Sequence, residues 1–162
     1  MLFRSAPAKS FKDLMTTEAI VGASNPGATT YDLPAVMNSV LGTKFRIVTG
    51  YPGSREITLA IERGETQGTC GLGWTGFVNF YPEWFSKGFI KVIAQVSLTG
   101  HPDLDKQGVP KATDFAKTDD DRLVLELVFK KSKLSEKRTA TATSAKAAIH
   151  KNHENALFRR RG

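Results

Sequence analysis

KFRIVTGYPGSREITLAIERGETQG, residues 44–68, decides how the chain is read. An apolar, strand-like run ends in a Tyr-Pro-Gly-Ser turn, and a helical pattern follows at once and stops at Gly64. Ser54 suits the N-cap of that helix and Glu56 its positive end. Ile57, Ala60 and Ile61 recur at the 3.6-residue period of a buried stripe, and Arg63 and Gly64 close it. Strand, turn and helix are each indicated by an independent local signal.

The same alternation extends to both sides. EAIVGAS (18–24), KFRIVTG (44–50), TQGTCGL (66–72) and FIKVIAQVSL (89–98) are short apolar segments with helical patterns between them. Such alternation predicts an α/β fold: a mostly parallel sheet flanked by helices, built from βαβ units. In the first crossover, Leu33, Val36, Met37, Val40 and Leu41 share one face and Gly42 is placed to end the helix. Pro34 fits the first turn of a helix, which predicts a start near Tyr31 or Asp32. The aromatic stretch GWTGFVNFYPEWFSKG predicts a helix or two short helical turns broken at Pro82. Its row of Trp74, Phe77, Phe80, Tyr81, Trp84 and Phe85 suits core packing before it suits a ligand cleft. TDDDRLVLELVF reads as a helix capped by Thr118 and Asp121, with Leu123, Val124, Leu127 and Val128 as its apolar positions.

Charge divides the chain. The net formal charge is +7 over 162 residues, but residues 130–162 alone carry +8, so residues 1–129 carry −1. Two regions follow: a folded body over 1–129, and a basic, low-complexity tail over 130–162 expected to be disordered or weakly helical. The tail admits a nucleic-acid-binding reading through Arg159, Arg160 and Arg161, although no aromatic residues interleave its charges to stack on bases. The opening MLFRSAPAKSFKDL has no apolar region of signal-peptide length, and no apolar run approaches the roughly 20 residues of a membrane span. Cys70 is the single cysteine and reads as a small buried hydrophobe.

Chemistry is sought where strands end. In an open parallel sheet, ligands lie beyond the carboxyl ends of strands, where the next helices begin. Two loops hold that place, ASNPGATT after the first strand and TGYPGSRE after the second. Glycine permits close backbone approach, and the free N–H groups and dipole of a helix's first turn attract an anion. The same residues also serve as ordinary turns and caps, so the signal alone does not decide between structure and binding. GxxxxGK[ST] does not occur; GLGWTG at 71–76 has the spacing GxGxxG, but that spacing alone is a weak signal, so nucleotide binding is disfavoured. His101 stands in a polar loop before a proline, His150 and His153 lie in the tail, and Asp119, Asp120 and Asp121 read as a helix start and not as metal ligands. No enzyme signature and no cofactor are read from these residues.

SFKDL, then IVGASNPGATTYDLPAVMNSVLGTKFRIVTGYPGSREITLAIERGETQG, then GFIKVIAQ and VPKATDFA, together resemble the receptor family of tripartite tricarboxylate transporters, the Bug-type periplasmic solute-binding proteins. The resemblance spans roughly residues 5–129 and is most specific at TGYPGSREITLAIERGE. It implies a lobe of a type II periplasmic binding protein fold, a small carboxylate as ligand, a periplasmic location and membrane transporter subunits as partners. It carries the ligand contacts onto Gly27, Ala28, Thr29 and Thr30 in the first loop and Tyr51, Gly53 and Ser54 in the second. Pro52 and Ser54 stand where many members have a Lys or a second Gly, which leaves the solute open. Family receptors have two lobes and the match covers essentially one, so the expectations are weak or absent solute binding and self-association through surface that a second lobe would cover. Without a signal peptide, a cytoplasmic location is the other expectation. A nucleic-acid-binding protein using the tail, or a degenerate fragment that retains the fold without binding, are the other readings.

Overall fold

The computed structural model describes residues 1–134; the arginine cluster and the two tail histidines lie outside the described residues. The chain divides into two compact units, Met1–Phe129 and Lys130–Gly162. The elements in order are β1 (Leu2–Phe3), a 3-10 turn (Lys12–Met15), β2 (Ala19–Gly22), α1 (Thr29–Leu41), β3 (Phe45–Val48), α2 (Ser54–Glu62), α3 (Trp74–Phe80), α4 (Pro82–Ser86), β4 (Ile90–Lys91), α5 (Pro102–Lys106) and a second 3-10 turn (Ala112–Phe115). A last helix, α6, begins at 119 and continues to 134, the end of the described residues.

The fold is mixed α/β, but the parallel sheet is smaller than the sequence predicts. Among the described strands the parallel pair is β2 with β3, Ala19 opposite Phe45 and Gly22 opposite Val48. β1 and β4 pair antiparallel. The expected third strand, 66–72, is reduced to a short junction about Gly68, which bridges Val21 on one side and Leu2 on the other: Gln67 N–H donates to the Ile20 carbonyl at 2.8 Å, the Gln67 carbonyl accepts Phe3 N–H at 2.7 Å, and Thr69 N–H donates to the Met1 carbonyl at 3.1 Å, joining the two pairs edge to edge. A Cβ at Gly68 would collide with the Met1 carbonyl oxygen, so glycine alone permits this approach. The expected fourth strand, 89–98, is ladder-paired only at Ile90–Lys91. Farther along it, Gln95 turns to another partner, donating its amide to the Pro110 carbonyl.

β2 alternates between two faces. Ala19 and Val21 enter a core with Leu14, Leu33, Met37, Leu41 and Phe45, which seats α1. Gly22 points the other way: a Cβ there would sit 3.0 Å from Cγ2 of Ile57, so α2 lies close over the second face. There Ile57 and Ile61 pack with Phe77 and Trp84. The missing side chain at Gly22 is thus what lets α2 approach.

The helices follow their local signals with three corrections. α1 ends at Gly42 in the left-handed conformation (φ 73°), but it starts at Thr29, two or three residues before the expected start. Pro34 is therefore its sixth residue, where its ring removes the amide that would have bonded the Thr30 carbonyl. The first turn begins early because the Ala28 carbonyl accepts both Tyr31 N–H and Asp32 N–H at 2.9 Å. α2 buries Ile57, Ala60 and Ile61 as its period requires, but Gly53 is its N-cap residue and Ser54 its first helical residue, with no side-chain cap. In α6 the capping box forms: Thr118 N–H donates to Asp121 Oδ2 at 3.2 Å, and Asp121 N–H donates to Thr118 Oγ1 at 3.0 Å. The buried residues of α6 are Leu125 and Phe129, whereas Leu123, Val124 and Leu127 face solvent.

The aromatic stretch forms the two short helices α3 and α4, which meet at Tyr81 and Pro82. Phe77 and Trp84 are buried at a ring separation of 5.8 Å, Tyr81 stacks obliquely on both, and Phe80 is 80% exposed. The hydroxyls of Thr58 and Tyr81 meet at 2.9 Å and tie α2 to this cluster. Cys70 is buried, and burial pushes its thiol pKa up, which suits a packing role.

Candidate functional site

Because β2 and β3 are neighbours running in the same direction, they deliver their following loops to the same end of the sheet. The first loop, from Ala23 to the start of α1, and the second, from Thr49 to the start of α2, are joined directly where Ala23 N–H donates to the Val48 carbonyl at 2.8 Å and Tyr51 N–H to the Ala23 carbonyl at 3.4 Å. A third segment backs the first: a Cβ on Gly71 (φ 75°) would lie 2.7 Å from Cγ2 of Thr29, so Gly71 is the wall behind α1's first residue. The two loops named from the sequence are thus brought side by side.

Within the first loop, the residues divide. Gly27 adopts φ 91° and donates its N–H to Oδ1 of Asp32 at 2.9 Å. Ala28 N–H donates to the Asn25 carbonyl at 3.0 Å. Thr30 is buried, and its hydroxyl accepts the Ser24 N–H at 3.0 Å, so its side chain shapes the loop from inside. The N–H groups of Thr29 and Thr30 have no acceptor among the described residues. These two amides are the donors that the first turn of α1 leaves open.

The second loop shows a similar division. Gly53 is extended, and its carbonyl accepts the first helical bond of α2 from Ile57 N–H at 3.2 Å. Before Ile57, the amides of Ser54, Arg55 and Glu56 have no acceptor among the described residues. Glu56 folds back over the N-cap, its Oε2 3.3 Å from where a Cβ on Gly53 would stand. Tyr51 belongs to a different environment. Its ring packs against the Ile57 and Ile61 cluster, 3.3 Å from a Cβ position on Gly22, and burial together with the Glu65 carboxylate raises its phenol pKa. Tyr51 therefore supports α2 from beneath.

Each of the two helix starts already holds a carboxylate of its own. Asp32 sits at the start of α1 and Glu56 at the start of α2, each where a helix dipole favours a carboxylate. The sequence identified Glu56 as a dipole partner, but the reach of Asp32 back to Gly27 is a tertiary detail of the loop. The wall formed by Gly71 was equally hidden, because its left-handed φ and its contact with Thr29 depend on how the chain returns to the sheet. Among the described residues no group of three His, Cys, Asp or Glu side chains is placed to hold a metal ion, and no helix is long and apolar enough to cross a membrane. His101 accepts the Asp103 N–H on its Nδ1 at 3.3 Å and caps α5.

Compared with protein-family models, with characterised proteins and with solved structures, the chain matches none.

Proposed function

We propose that the chain is a solute-binding lobe of the type II periplasmic binding protein kind, which takes a small carboxylate at the paired starts of α1 and α2. One observation carries this reading: adjacent parallel strands bring two helix N-termini to one end of the sheet, and the amides of Thr29, Thr30, Ser54 and Arg55 there lack acceptors among the described residues. Such donors, aided by two helix dipoles, complement an anion. The resemblance to tricarboxylate-transporter receptors points to the same loops and to a membrane transporter as the partner. Gly27 and Ala28 serve by shaping the first loop, and Thr30 offers its backbone and not its hydroxyl.

Binding by this lobe is weak. Glu56 folds back over the N-cap of α2 and places negative charge beside the amides that would take the ligand's carboxylate. NMR titration with a panel of di- and tricarboxylates tests the idea. The expected result is a dissociation constant on the order of 1 mM, with the amide signals of Thr29, Thr30, Ser54 and Arg55 shifting together. The variant Glu56→Gln should bind about threefold tighter, since one repulsive charge is gone. Shifts scattered over other surfaces, or no response from either protein at roughly 20 mM carboxylate, overturn the proposal.

A further inference from the structure

β3 has an outer edge turned away from β2. The carbonyls of Lys44 and Val48 accept Ala19 N–H at 3.0 Å and Ala23 N–H at 2.8 Å, so the even-numbered residues of β3 face β2. The backbone groups of Phe45 and Ile47 therefore point outward. Among the described residues no strand pairs with that side. An open row of this kind is a template on which another chain can add a strand.

Asn38 already occupies the rung at Phe45. Its Nδ2 donates to the Phe45 carbonyl at 2.8 Å and its Oδ1 accepts the Phe45 N–H at 2.9 Å, the pair of bonds that a neighbouring strand would make. The Thr43 hydroxyl donates to the same Oδ1 at 2.8 Å and fixes the amide. Asn38 stands in the last turn of α1, and the left-handed Gly42 turns the chain back so that Phe45 comes to lie beside that turn. Ile47 is left as the outward rung of β3 whose N–H and carbonyl have no partner among the described residues. Next to it is Arg46, whose side chain is 66% exposed and lies 4.0 Å from Glu18. A second β3 laid antiparallel across a two-fold axis would pair Phe45 of each copy with Ile47 of the other, and would set Arg46 directly against Arg46.

We propose that Asn38 guards the edge of β3: by standing in for a strand at Phe45 it denies that edge to other chains, and the charge of Arg46 turns away a second copy in particular. A single open rung seats no strand, whereas two would let two copies exchange bonds on both sides of the axis. The hydroxyl of Thr43 is enough to tie Asn38 to the turn after α1; the two bonds to Phe45 are spent on the outer edge. The inference is independent of the carboxylate reading, since neither Asn38 nor Arg46 belongs to the loops that follow β2 and β3.

Amide hydrogen exchange and sedimentation velocity on the full chain test it. In the wild type the Phe45 amide should exchange at least about tenfold more slowly than the Ile47 amide, which lacks an acceptor. The double variant Asn38→Ala, Arg46→Val should associate with itself at least about tenfold more strongly than either single variant, and its Ile47 amide should become protected as it does so. That protection separates a guard from a mere brace, because losing a brace destabilises the fold and speeds exchange throughout. If Asn38→Ala does not keep the wild-type circular dichroism spectrum, Asn38→Leu takes its place, being of similar size and unable to bond Phe45. A wild-type Ile47 amide as protected as that of Phe45 overturns the proposal. So does a folded double variant that associates no more than wild type, association that leaves Ile47 unprotected, or Arg46→Val alone associating as strongly as the double variant.

Discussion

α2 and α6 look alike as sequences and behave differently as structures. Each has an acidic first turn and apolar residues at helical spacing. In α2 the apolar positions Ile57, Ala60 and Ile61 are the buried ones. In α6 the buried pair is Leu125 and Phe129, while Leu123, Val124 and Leu127 face solvent. The difference lies in how many faces are apolar. Around α2's stripe stand Arg55, Glu56, Glu62 and Arg63, so only one orientation buries hydrocarbon and leaves the charges wet. The run LVLELVF is apolar nearly all round and offers two orientations; in the one adopted, Leu125 and Phe129 join the core cluster that also holds Phe11 and Leu14. Periodicity tells which residues share a face, but not which of two apolar faces goes inward.

This comparison can be broken most severely at the buried residues. Ile57→Ala and Leu125→Ala should each destabilise the fold by about 2–5 kcal/mol in urea unfolding, the usual cost of emptying a tightly packed aliphatic site. If Leu125→Ala were nearly neutral, α6 would not be anchored by that side chain. A middle-sized effect is expected at the helix start. Thr118→Ala removes the hydroxyl that accepts Asp121 N–H and should cost about 1 kcal/mol, whereas Ser54→Ala, at a position that makes no side-chain cap, should fall within roughly 0.5 kcal/mol of wild type. Equal losses at the two sites would erase that distinction. The smallest effect belongs to Leu127→Ala, where unfolding should shift by no more than roughly 0.5 kcal/mol, as for an exposed surface site.

Much of the fold was legible because its signals are local. The parallel β2–α1–β3 unit and the helix α2 follow from apolar runs, glycine stops and dipole-compatible acids that each act within a few residues. What was not legible depends on chain return. Nothing within TQGTCGL announces that pairing will be confined to a short junction about Gly68, because that outcome depends on how closely the Met1 carbonyl approaches it. β1 is two residues long, too short to carry a period, and its pairing partner is far along the chain. Pro34 misled the placement of α1 because the paired acceptance of two amides by the Ala28 carbonyl starts the helix before the proline is reached. At the candidate site, the placement of the two loops was readable from strand order, and the roles of individual atoms were not. No local signal announces that the Gly27 N–H is bonded to Asp32 and that the Thr30 hydroxyl accepts the Ser24 N–H.

The seam at Gly68 also orders the birth of the fold. β2 and β3 meet through the crossover helix α1, a contact between near neighbours in sequence that can form as soon as residues 19–48 are made. Leu2 and Phe3 are synthesised before their partners, and they have nothing to pair with until Gly68 and then Ile90 and Lys91 have left the ribosome. Residues made earlier than β2 are thus placed later than it, and their arrival closes the sheet.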